Sequence, residues 1–96
     1  MTTERATVKN QLEIPHGVET DAKAFELVRV WVAQGEMHVS LQMGGWDDPS
    51  AWGTVLADLA RHVAGFYAER KRMDPEETLE RIRAAMDAEL ESEPAE

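Results

Sequence analysis

Cysteine is absent from the 96 residues. That excludes disulfides, thiolate metal centres and cysteine nucleophiles. It also removes the usual brace of small secreted domains, which points to the cytoplasm. Basic residues are few: Lys and Arg number 10 against 19 Asp and Glu, a formal charge of −9. A chain this acidic repels phosphate backbones and anionic bilayers, so neither nucleic acid nor a membrane is expected as a partner. Much of the acid lies from Asp74 onward, where it acts as a local solubilising feature. No apolar run approaches the ~20 residues of a membrane helix. The first residues are polar and charged, unlike a signal peptide.

What is there suits one small globular domain, with 43% hydrophobic residues. A domain of this size buries only about 60% of its unfolded surface. Self-association is a common remedy for so small a core, and a homodimer is the expected state.

The stretch Gly44-Gly45-Trp46-Asp47-Asp48-Pro49-Ser50-Ala51-Trp52-Gly53 divides the chain. Before it the pattern is β. Val28, Val30 and Val32 alternate with Leu27, Arg29 and Trp31. Gln34-Gly35 then makes a tight turn, with Gly35 supplying positive φ at little cost. On the return, Met37, Val39, Leu41 and Met43 alternate with His38, Ser40 and Gln42. The predicted strands are 26–33 and 36–43, paired Val32 with Met37, Val30 with Val39 and Val28 with Leu41. Only that register puts both apolar rows on one face.

After the corner the pattern is helical. Asp47 or Asp48 caps, and Pro49 occupies the first turn, where no N–H is required. Trp52, Val55, Leu56, Leu59, Val63, Phe66 and Tyr67 recur at helical spacing. This predicts a helix over 49–72 that covers the valine and methionine face of the hairpin. Beside that row runs a second stripe of small residues, Gly53, Ala57, Ala60 and Ala64, which admits close approach of another backbone. Arg70-Lys71-Arg72 closes the helix, where positive charge offsets its dipole. Asp74-Pro75-Glu76-Glu77 opens a second helix over 75–91, with Asp74 as cap and Glu77 able to complete a capping box. Its narrow stripe of Leu79, Ile82, Met86 and Leu90 marks a peripheral helix.

Upstream of the hairpin the signals are weaker. Residues 1–11 read as a flexible arm and 92–96 as a disordered acidic tail around a domain over 12–91. Leu12 and Ile14 suit a short edge strand stopped by Pro15, with His16 on the following loop. Thr20 to Phe25 suits a short helix. The fold class is therefore α+β: an antiparallel hairpin on a long helix, with a second helix beside it.

Three groups bear chemistry. Arg29, Trp31, His38, Ser40 and Gln42 share the polar hairpin face, where an aromatic beside donors and acceptors suits a small planar or anionic ligand. The plainer reading is a face covered by the arm or by a second subunit, because two strands alone are rarely stable. Asp58 and His62 stand four apart on one helix face and with His38 would suit a metal. A surface ion pair explains the spacing better, and His38 lies on the hairpin face turned away from that helix. No metal or cofactor is expected. Trp46-Asp47-Asp48 offers paired carboxylates, but capping explains them directly before a helix. Ser40 and Ser50 have no base at a recognisable spacing, so an enzyme is the weakest reading.

The run Glu26-Leu-Val-Arg-Val-Trp, Met37-His-Val-Ser-Leu, Gly45-Trp-Asp-Asp-Pro-Ser-Ala-Trp-Gly and Leu59-Ala-Arg-His-Val-Ala resembles a family of short alphaproteobacterial proteins classed as a domain of unknown function. The resemblance spans Ile14 to Tyr67 and is sharpest at the Trp-Asp-Asp-Pro-x-x-Trp-Gly corner. It implies a bacterial cytoplasmic setting and no particular catalytic or binding residues. The functional expectation is a non-enzymatic homodimeric interaction module; the alternative is a small-molecule site on the Trp31, Arg29 and His38 face.

Overall fold

A computed structural model of the chain describes residues 10–92. The element order is α1 (His16–Glu19), β1 (Val28–Ala33), β2 (Glu36–Leu41), α2 (Ser50–Lys71) and α3 (Pro75–Glu91). This is the α+β content expected, a two-stranded antiparallel hairpin plus two substantial helices. The chain divides after Met43 into two compact units. Apart from Asn10, Gln11 and Ser92, the expected arm and tail lie outside the described residues.

The first unit is built on the hairpin. Its register is the one the alternation dictates: Val32 opposite Met37, Val30 opposite Val39, Val28 opposite Leu41, and on the other face Trp31 opposite His38 and Arg29 opposite Ser40. Gln34 (φ 56°) and Gly35 (φ 75°) form the two-residue turn. Positive φ at both positions matches the right-handed twist of the strands. The ladder continues one step past the strands, where the Gln42 N–H donates to the Leu27 carbonyl at 2.9 Å.

The segment before β1 differs from expectation. The short helix lies at His16–Glu19 rather than over Thr20 to Phe25, and His16 opens it instead of sitting on a loop. Asp21 is the reason. Its carboxylate accepts the Lys23 N–H at 2.9 Å, an alternative to helix that short polar side chains offer the backbone. Thr20 instead closes α1, its hydroxyl donating to the Gly17 carbonyl at 3.1 Å. Leu12 to Pro15 forms no strand, and Leu12 and Ile14 are exposed rather than turned inward.

The hairpin's valine and methionine face is open within its unit. Val32 is 76% exposed and Met37 68%. Packing of this face on α2 concerns the relation between the two units and stays an expectation.

The second unit is an αα-hairpin. Pro49 already has helical dihedrals (φ −61°, ψ −18°), and the Asp48 carboxylate accepts the Ser50 N–H at 3.0 Å. The expected cap is thus Asp48. At the far end Arg72 turns left-handed (φ 57°), and the N–H of Met73 donates to the Tyr67 carbonyl at 3.4 Å. Asp74 caps α3 as the spacing requires, accepting the Glu77 N–H at 2.9 Å. Its carbonyl takes both the N–H and the hydroxyl of Thr78, at 2.9 and 2.8 Å.

α3 lies against the small-residue side of α2. Leu79 and Ile82 of α3 share a hollow with Ala57 and Ala60. Ala64 (3% exposed) and Thr78 (5%) are the buried residues among those described. Ala57, Ala60 and Ala64 of the stripe thus receive a neighbouring helix, as such a stripe allows, while Gly53 stays exposed. Only the first half of α3's apolar edge is covered, since Leu79 and Ile82 are half-buried while Leu90 is exposed. Among the large residues of α2, Val63 and Tyr67 share a second hollow with Thr78, Ile82 and Ala85 of α3. Leu56, Leu59 and Phe66 are each about half exposed, at 50%, 54% and 51%.

Candidate functional site

The period of two in β1 and β2 places Arg29, Trp31, His38, Ser40 and Gln42 on one face, but each meets different surroundings. The Arg29 guanidinium makes a two-pronged bond to Glu26, Nε to Oε2 at 2.8 Å and Nη2 to Oε1 at 3.1 Å. This fork matches a carboxylate, so the cation already has an anion. His38 Nε2 donates to the Ala33 carbonyl at 3.2 Å, which ties the ring to the end of β1.

Two open hollows border this face. One, of about 270 Å³, is lined by residues that include Glu26, Arg29, Ser40 and Gln42. The other, of about 640 Å³, is a groove between residues 10–15 and the length of β1, with Arg29 and Trp31 among its walls. Arg29, Ser40 and Gln42 therefore come together, and Trp31 joins Arg29 in the second hollow. His38 lines neither of them. The groove was not evident from the sequence. Its one signal is the apolar alternation of Leu12 and Ile14, which suited a strand equally well.

The other candidates resolve into local structure. Asp58 and His62 are adjacent, with Nδ1 donating to the Asp58 carbonyl at 2.8 Å and lying 3.6 Å from its carboxylate. Among the described residues no third acidic or imidazole side chain joins them. The Asp48 carboxyl is held below its ordinary value by hydrogen bonds from the Ser50 backbone N–H and then its hydroxyl. A carboxylate held ionised by donors acts as a cap and not as a proton donor near neutrality. Trp46 and Trp52 pack edge to face beside it, with centroids 5.3 Å apart.

The model of a domain of unknown function, DUF5076, matches residues 11–94. The chain belongs to this family. The match reaches beyond Tyr67 and takes in the whole of α3, so the acidic helix is part of the family's domain. A solved structure from the photosynthetic bacterium Rhodopseudomonas palustrus CGA009 is similar at 35% identity and a TM-score of 0.70, covering 96% of this chain and 95% of that one. That protein is described as a "putative pyruvate dehydrogenase". No curated protein matches the chain. Among the described residues no helix of this family member is long and apolar enough to cross a membrane.

Proposed function

We propose that the chain is a non-enzymatic, cytoplasmic homodimer that acts as a protein-interaction module. One observation carries this reading: α2 gives its small-residue side to α3 and leaves Leu56, Leu59 and Phe66 half exposed on the other. A row of large apolar side chains along a helix is the usual mark of a protein contact. The hollows are open, and none of those bordering the hairpin pairs an acid with a base poised for proton transfer. The pyruvate dehydrogenase description of the similar structure is therefore not carried over as this chain's activity. Sedimentation equilibrium tests the reading. Twice the chain mass at about 20–50 μM, a dissociation constant at or below that range, is expected; a single-chain mass there overturns it.

A second reading rests on the groove beside β1, whose volume falls within the range of small-molecule sites. Trp31 supplies its aromatic wall, and Arg29, held by Glu26, a fixed polar edge. On this reading Trp31→Ala stays folded and loses binding to any compound found by a thermal-shift screen. Unchanged affinity in that variant removes the site.

A further inference from the structure

We propose that residues 5–9 fold back at Asn10 and pair with the outer edge of β1 as a third strand. The proposal goes beyond the homodimer reading and does not rest on it. It assigns the groove of the second reading to a segment of the chain itself.

The hydrogen bonds of β1 give the first reason. In an antiparallel pair, residues alternate between those that bond to the partner strand and those that bond outward. The Gln42 N–H donates to the Leu27 carbonyl. Leu27, Arg29 and Trp31 therefore bond toward β2, and the N–H and C=O groups of Val28, Val30 and Val32 point away from it. Among the described residues no backbone bond reaches these outward groups. An edge left open in this way is a template for another strand. The groove of about 640 Å³ runs along this edge, and residues 10–15 form its far wall.

The occupant follows from where the described residues begin. Asn10 lines the groove and is left-handed (φ 67°), a turn conformation that asparagine tolerates. A reversal there returns the preceding residues along the wall, beside β1. Ala6 and Val8 alternate with Arg5, Thr7 and Lys9, the period of a strand, and Ala6 and Val8 then continue the row of Val28, Val30 and Val32. Five extended residues span about 17 Å, against about 20 Å for the six of β1. The charges agree as well. Glu26 is taken by Arg29, and Glu13 has no ion-pair partner among the described residues, so the groove keeps one negative charge. Arg5 and Lys9 outweigh Glu4 and bring one positive charge to it.

Amide exchange and nuclear Overhauser contacts on the full chain test the pairing. The Arg29 N–H bonds to β2 and reads the hairpin, while the Val30 N–H points outward and reads the added strand. In the wild type the Val30 amide is expected to exchange within about tenfold of Arg29, equally at about 50 μM and about 500 μM, and to show contacts with residues 5–9. Ala6→Asp combined with Val8→Asp sets two carboxylates against the valines and Glu13. In that variant Val30 should exchange at least about tenfold faster while Arg29 is unchanged. If Arg29 also accelerates, the wild-type contacts alone decide. A freely exchanging Val30 amide in the wild type, or one without contacts to residues 5–9, overturns the proposal. So does a variant protected as well as the wild type. Protection that grows with concentration overturns it too, and places a strand of a second copy at the edge, in favour of the homodimer reading.

Discussion

Trp46 and Trp52 meet edge to face, their ring planes at 81° and their centroids 5.3 Å apart. Trp46 lies before the Asp48 cap and Trp52 in the first turn of α2, so the pair fixes the angle at which the chain enters the helix. Such pairs contribute about 0.5–1.5 kcal/mol beyond the area they bury. Trp46→Ala is expected to lower stability by about 1–2 kcal/mol, and Trp46→Phe by less than half of that. Urea denaturation followed by far-ultraviolet circular dichroism measures both. Equal losses would show that the ring at 46 contributes only bulk.

Asp74 carries the start of α3, through its side chain to Glu77 and through its carbonyl to Thr78. Asp74→Ala removes only the side-chain bond and should cost about 1 kcal/mol, while Asp74→Asn, which can still accept, should recover most of it. The same denaturation series decides. An alanine variant as stable as wild type would mean that Pro75 and the Thr78 bonds suffice.

Asp48 links stability to pH. Its folded-state value is depressed below 3.8 by the Ser50 bonds. Its contribution is therefore present above the unfolded value and is lost as pH falls through the folded one. As pH falls from above 3.8 through the still lower folded value, the wild type should lose its advantage over Asp48→Asn. Parallel urea midpoints for the two proteins across that range would remove this role.

Gln34 and Gly35 both occupy the left-handed region, which L side chains other than asparagine and aspartate avoid. Gln34→Asn should therefore strengthen the hairpin by a few tenths of a kcal/mol, and Gly35→Val should weaken it by about 1–2 kcal/mol. Amide hydrogen exchange at Arg29 and Ser40, a hydrogen-bonded pair of the ladder, reads the effect locally. Faster exchange in Gln34→Asn would contradict this account of the turn.

The hairpin register was legible because two constraints agree. A two-residue turn and a period of two leave one pairing that stacks Val30 on Val39. The start of α3 was legible because Asp74 and Pro75 can do little else together. α1 was not, since Asp21 suits a helix cap and an Asx turn equally, and only the Lys23 bond distinguishes them. The side of α2 that α3 takes was readable in its alanines. The fate of its large residues was not, because an apolar row looks the same whether a sheet, a helix or a second copy covers it. Alternation puts the five residues on one face, but which of them border a hollow depends on Glu26 and on residues 10–15, which lie outside the strand pattern, and His38 borders neither.

Native mass spectrometry of the untagged wild-type protein tests the central claim most directly, because it reports subunit number and any retained small molecule together. The account expects a bare dimer at about 20–50 μM, consistent with micromolar or tighter association. A monomer across that range would contradict it, and a dimer carrying one stoichiometric added mass per chain would transfer the function to the groove beside Trp31.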